Sequence, residues 1–336
     1  MTITRRSFTS ATAATLALPA LLTRPADAAE FNWKFATNQP APHPSNIRAQ
    51  QAIDRIREQS GGRINITLFP NNQLGGDTDM FSQLRAGAIH LFPLSGLIVQ
   101  TVVPEAGANG VGFAFKDYDT VWSAMDGEFG AYLRKKMESA SVQAFSKIWD
   151  NGFRQMTSSR GPIRSPDDMK GFKIRIPVMP IESSLFESLG AAPTTINIKE
   201  AYSALQTKLV DGQENPLALI HTWKFYEVQR YCSMTSHMWD GFWVLANSRA
   251  MSRLPAELQE IVARNIDAAG LDQRADVRKL NDGLRAEIEK TGMQFNEPDP
   301  EPFRARLRQA EFYKKWQATF GPECWGLLEK YTGALV

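Results

Sequence analysis

The sequence predicts an α/β protein built as two lobes. Two features carry that expectation: short stretches with apolar residues at every second position alternate with stretches of helical spacing, and 336 residues exceed what one simple core holds. A third describes the joint between the halves. No long Pro/Gly/Ser tether, internal repeat or low-complexity segment interrupts the chain, so crossing strands are expected to link the lobes.

The first 28 residues read as an export signal. Arg5 and Arg6 precede Ser7-Phe8 and the apolar stretch Ala11 to Leu22, which is too short to cross about 30 Å of hydrocarbon. Ala26-Asp27-Ala28 then offers the small residues of a cleavage site, and cleavage is expected near Ala28. The paired arginines resemble a twin-arginine signal, with a general secretory signal as the alternative. Both lead out of the cytoplasm.

In the mature chain, Asn32 to Ala36 reads as a strand. Ser45 caps a helix running through Ile53 and Ile56 to Gly61-Gly62, and Ile64, Ile66 and Leu68 alternate with Asn65 and Thr67 in a second strand. A helix over Met80 to Ala86, the apolar run Ile89 to Leu94, one amphipathic helix from Val121 to Met137 and a strand over Val142 to Trp149 complete a first lobe, 29–150. Part of the C-terminal region is expected to return to it.

The second lobe, 151–250, shows its first clear signal at Ser165-Pro166-Asp167-Asp168. That is a cap, a proline at the first helical position and two acids at the positive end of the helix dipole. Phe172, Ile174 and Ile176 then alternate with Lys173 and Arg175, a strand closed by Pro177 whose Arg175 points away from the apolar face. Helices over Ile181 to Leu189, Lys199 to Lys208 and Leu217 to Tyr226 follow, then a strand over Phe242 to Ala246. From Pro255 to Thr291 apolar residues keep helical spacing long enough to brace both lobes, and residues 251–336 are expected to pack on both.

Composition narrows the function. Hydrophobic residues are 43% and charged residues 22% of the chain, values of ordinary globular proteins. The net charge is +2, from 38 Lys+Arg against 36 Asp+Glu, and no dense basic run is present, which argues against nucleic acid as a partner. Cys232 and Cys324 form no CxxC and have no histidine at ligand spacing, so no metal site is expected, and a disulfide between them is left open. GxGxxG, GxxxxGK[ST] and GxSxG are absent and only four histidines occur. No catalytic residue and no cofactor is therefore expected, with an enzyme acting on a small organic acid as the alternative reading.

The polar residues that stand out suit an anion. Arg154 follows a strand end and Arg175 sits on a strand before Pro177; guanidinium groups hold a carboxylate by two parallel hydrogen bonds, as lysine cannot. Asn215, after the Asp211-Gly212 turn, offers both a donor and an acceptor. Either arginine could equally serve an ordinary ion pair.

At these residues the chain resembles the solute receptors of tripartite ATP-independent periplasmic (TRAP) transporters, the dicarboxylate-binding-protein (DctP) type. The resemblance covers nearly all of the mature sequence. It rests on Gly62-Arg63 through Phe69-Pro70, Gln73-Leu74-Gly75, Arg154-Gln155, Pro166 through Arg175, Leu189-Gly190-Ala191 and Ala204-Leu205-Gln206, with Val210 through Pro216 and Tyr226 through Gln229. It implies a periplasmic-binding-protein clamshell, type II-like, with a long helix spanning both lobes, that closes on one organic acid. Arg175 would be its signature carboxylate ligand, helped by Arg154 and Asn215. It further implies residence in the periplasm and delivery to the small and large membrane subunits of a sodium-driven permease. A sensor-associated binding protein is the alternative within that fold.

The same resemblance points to Asn38 and Ser95 in the first lobe, which turn chemistry alone would also explain. Trp149 through Phe153 is similar to dicarboxylate-binding members and implies a four-carbon diacid. Met238-Trp239-Asp240-Gly241-Phe242-Trp243 departs from their pattern, and an indole there suits an aromatic or branched 2-hydroxy or 2-oxo monocarboxylate. Trp149, at a strand end beside Arg154, and Trp239 are accordingly expected in the cleft, with core packing as the alternative for Trp239.

Overall fold

The computed structural model describes residues 29–336, so the expected export signal lies outside the described residues. The chain runs β1 (Phe31–Ala36), α1 (Pro44–Gln59), β2 (Ile64–Phe69), α2 (Asp77–Ala86), β3 (Leu91–Ser95), α3 (Gly96–Val99), α4 (Tyr118–Met125), α5 (Glu128–Met137), β4 (Val142–Ala144) and β5 (Trp149–Ser158). It continues with β6 (Lys173–Ile176), α6 (Pro180–Ser188), β7 (Ala192–Thr195), α7 (Ile198–Gln206), β8 (Gly212–Asn215), α8 (Leu217–Thr222), β9 (Tyr231–Asn247) and α9 (Ser248–Ser252). The last elements are α10 (Ala256–Glu289), β10 (Gln294–Asn296), α11 (Glu301–Gln309) and α12 (Phe312–Thr332).

One mixed sheet runs through the molecule in the order β2-β1-β3-β9-β5-β8-β6-β7, with β4 and β10 pairing β9 outside that path. Parallel pairs lie at its two ends, β1 with β2 and β6 with β7, where helical crossovers connect the strands. The middle is antiparallel: β9 runs beside β3 through Phe242 to Ala246 and beside β5 from Tyr231 to Phe242. These two long strands are the crossing connections. The expected boundary at residue 150 falls at the start of β5, and β9 carries residues 242–247 back to the first half.

Three expected elements differ. The strand over Val142 to Trp149 is two strands separated by residues 145–148, and the helix over Val121 to Met137 is two helices interrupted at Asp126-Gly127. The strand over Phe242 to Ala246 is the end of one seventeen residues long. Its first part escaped detection because Ser233, Thr235, His237 and Asp240 are buried polar residues, which erases the polar-out alternation that marks a strand.

α10 carries the bracing. Leu258, Val262, Ile266 and Ala269 pack into the core that α1, β1 and β2 share, whereas Leu284 and Ile288 enter the core of α7 and α8 at the other end. Its buried stripe thus belongs to two lobes at once, which requires an uninterrupted helix of this length. Cys232 and Cys324 are free thiols buried in separate cores. No helix among the described residues is long and apolar enough to cross a membrane.

Candidate ligand-binding site

Where β5, β6, β8 and β9 meet the first-lobe loops, the two halves close on a cavity. Asn38, Asp77 and Ser95 come from the first lobe, Arg175 and Asn215 from the second, and Asn151, Arg154 and Asp240 from the crossing strands. The lining frames a narrow cleft of about 360 Å³ that is continuous with solvent. Ile98, Met179, Leu219, Trp223 and Phe242 supply an apolar wall.

Local backbone aims these side chains. β5 is bulged against β9 between Asp150 and Gly152, and Gly152 takes a φ of +119°, open to glycine and strained for other residues. The bulge lets Asn151 and Arg154 both reach Asp240: Asn151 Nδ2 donates to Oδ2 at 2.8 Å, and Arg154 Nη1 donates to the same atom at 3.0 Å. Ser95 caps α3 by accepting from Leu97 N, and its hydroxyl donates to Asp240 Oδ1 at 2.6 Å. Ser95 is thus a positioning residue for Asp240 as much as a cavity wall.

Arg154 is saturated. Its Nε and Nη2 both donate to the Glu214 carboxylate, Nη2 reaches Asn215 Oδ1 at 3.2 Å, and Glu182 lies 3.9 Å from Nε. Burial alone would strip its proton more easily, but the charges of Glu214, Glu182 and Asp240 hold it far more basic than usual. Glu214 is pulled below the carboxylate range: burial opposes its charge, and Arg154 more than offsets that. Glu182 is pushed well above it by burial and then by Glu214, which favours its protonated form. Burial likewise lowers His237, which is therefore neutral.

Arg175 is the opposite case. Its side chain is 1% exposed, Nε donates to the Ile196 carbonyl at 2.8 Å, and Nη1 is buried with no hydrogen-bond partner among the described residues. No salt bridge reaches it there. Burial drags its pKa down to about 10, the neighbouring Glu214 raising it and Arg154 lowering it further, so the group stays a cation at neutral pH. A buried, charged, unpaired guanidinium is costly unless an anion completes it.

Glu182, Glu214 and His237 bring ligand atoms within 4.8 Å of one another, the spacing of a metal cluster. Arg154 already supplies the positive charge that Glu214 needs, so a metal cation would meet electrostatic repulsion where it would sit.

Of the residues expected from the sequence, Asn38, Ser95, Arg154, Arg175 and Asn215 line the cavity. Trp149 and Trp239 do not, which corrects the expectation for both. Trp149 turns into the core beneath α10, where a Cβ on Gly270 would stand 2.7 Å from its Nε1. Trp239 packs edge-on against Phe115 and Trp122 and donates Nε1 to Asp150 at 3.0 Å. The indole that does line the cavity is Trp223, on no motif. Asp77 and Asp240 were also missed; each is a buried carboxylate, and a lone aspartate carries no spacing signal.

Two lobes joined by crossing strands around a cavity in which the buried guanidinium of Arg175 has an unpartnered nitrogen among the described residues define a clamshell ligand-binding protein. The family model for bacterial extracellular solute-binding proteins, family 7 (DctP), matches residues 35–318, and the chain belongs to that family. It is 34% identical over 302 residues to an uncharacterized protein, y4mM, of Sinorhizobium fredii, covering 90% of this chain and spanning 56% of that relative. It is 32% identical to the sialic acid-binding periplasmic protein SiaP of Vibrio cholerae, covering 81% of this chain and 84% of SiaP. Among solved structures, a TRAP periplasmic solute-binding protein of a Sulfitobacter species with bound β-D-galacturonate superposes with a TM-score of 0.85 at 26% identity, covering 90% of this chain and 100% of that one.

Proposed function

We propose that this chain is the periplasmic solute receptor of a TRAP transporter: it captures a small organic acid by its carboxylate and delivers it to the small and large membrane subunits of the permease. The observation that carries this reading is Arg175, a buried guanidinium in the cavity with one nitrogen unpartnered. A ligand carboxylate would accept from it in the two-point geometry that guanidinium favours, in a site shielded from water, where charge pairing is strong. Asn215 would hold the same end of the ligand, with Arg154 fixing Asn215 from behind, and Asn38 and Asp77 would meet its far end from the first lobe. A one-carboxylate ligand fits this inventory, since Arg154 already has two carboxylate partners.

Lobe closure, and no covalent step, would be the working act, the closed form being what the permease reads. Membership in a solute-binding family supports binding over catalysis. The test is a thermal-shift screen of the ligand-stripped mature protein against small organic acids. A saturable rise that Arg175→Ala abolishes is expected. Turnover of a bound acid, or sugars and amines shifting the melt where no acid does, would sink the reading.

A further inference from the structure

We propose that Asp77 makes the cavity selective for monocarboxylates that carry hydroxyl groups, and that it excludes four-carbon dicarboxylates. This rests on the reading that Arg175 anchors a ligand carboxylate.

Asp77 opens α2 and is 6% exposed, on the first-lobe wall of the cavity that Arg175 lines from the second lobe. Its Oδ1 is fixed by Asn38 Nδ2 at 2.8 Å. No salt bridge joins it to Arg175 among the described residues, so it stands as a separate negative group. Burial raises its carboxyl to about 6, with Asn38 and Arg175 acting the other way, which leaves it ionised at neutral pH.

The charges then decide. Arg154 is neutralised by Glu214 and Asp240, leaving Arg175 as the cation able to receive a ligand. Once a carboxylate occupies Arg175, a second one would face Asp77 with no further unpaired cation among the residues lining the cavity to receive it, and like charges in a buried site repel strongly. A hydroxyl at that position instead donates to Asp77, a charge-assisted hydrogen bond of the strong kind. The apolar wall of Ile98, Trp223 and Phe242 accepts the carbon skeleton.

The test is titration calorimetry at pH 7.5 with D-galactonate and D-gluconate as hydroxylated monocarboxylates, succinate and malate as dicarboxylates, and butyrate, which has neither group. In the wild type at least one hydroxylated monocarboxylate is expected to bind about 100-fold more tightly than either dicarboxylate. Asp77→Asn, equal in size and uncharged, is expected to shrink that ratio about 10-fold or more, by strengthening the dicarboxylates and weakening the hydroxy acid. Wild-type protein that binds succinate or malate as tightly as any hydroxylated monocarboxylate overturns the inference while leaving the receptor reading intact. A ratio unmoved in a folded Asp77→Asn protein overturns the role of Asp77. Acid binding that survives in Arg175→Ala overturns the underlying reading instead, so the two failures are distinguishable. The wild-type ratio stands as a test even if the variant does not fold.

Discussion

Glu214 holds Arg154 with both carboxylate oxygens, Oε1 lying 2.6 Å from Nη2, and neither side chain is exposed to solvent by more than 1%. Arg175, two strands away on β6, has no such partner. Two arginines with the same sequence credentials therefore do different work: one is structure, the other is held ready for a ligand.

Glu214→Gln keeps the shape and removes the charge. Arg154 is then left buried with Asp240 and the more distant Glu182 as its remaining acids, and breaking a buried pair of this kind costs about 3–5 kcal/mol. Urea denaturation of the ligand-free protein measures it. A loss below about 1 kcal/mol would mean that Asp240 and Glu182 suffice to hold the guanidinium.

Arg175→Met reverses the sign. Removing an unpaired buried cation and filling its volume with an apolar chain is expected to raise the ligand-free stability by about 1–2 kcal/mol while abolishing acid binding. A calorimetric melt with and without ligand separates the two effects. If the ligand-free protein melts lower than wild type, Arg175 contributes to the fold through Ile196 more than its unpartnered nitrogen costs.

Much of this was legible in the sequence, for identifiable reasons. Arg175 alternates with Ile174 and Ile176, so its side of the strand followed from period-two spacing, and α10 declared itself by apolar residues at helical spacing over 34 positions. Trp149 was misplaced because proximity to Arg154 along a strand says nothing about face once a bulge intervenes. Asp77, Asp240 and Trp223 were invisible because each enters the cavity from a different element, and only tertiary closure brings them together.

Asp150 contributes a fall in stability as the pH rises from about 4 to about 7. Burial lifts its carboxyl to about 7, with Trp239, Tyr118 and Arg274 pulling the other way and Asp240 adding to the rise. A group whose folded pKa is raised binds its proton more tightly in the native state. Its stabilisation is complete below about pH 4 and lost as the pH passes through about 7, a change of about 2–4 kcal/mol. Asp77, Asp240 and Glu182 are raised as well and act in the same direction, whereas His43, His90 and His237, which burial lowers, act in the opposite one. Asp150→Asn, which retains an acceptor for Trp239 Nε1, is therefore expected to remove a downward contribution, so that the urea midpoint falls less or rises more with pH in this window than in the wild type. An unchanged profile would show that Asp150 is ionised throughout.

Gly270→Ala pits helix propensity against packing. In the middle of α10 alanine should gain about 1 kcal/mol, yet its Cβ would stand 2.7 Å from Trp149 Nε1 and 2.8 Å from Cδ1, distances no packed carbon adopts. Trp149 is wholly buried and held in the core of β1, β2 and α1, so the indole has little room to yield. Overpacking costs about 1–3 kcal/mol, and with so little room for the indole the upper part of that range applies, which makes a net loss of up to about 2 kcal/mol the expected outcome. Trp149→Val removes the ring atoms Cδ1 and Nε1 that fill this space, so in that background Gly270→Ala should turn neutral or stabilising, a coupling that a double-mutant cycle by urea denaturation reads directly. Neither residue lines the cavity, so acid affinity should stay at its wild-type value in every corner of the cycle. A stabilising Gly270→Ala in the wild-type background would show that the tryptophan can move, and with it the claim that Trp149 is locked away from the ligand would fall.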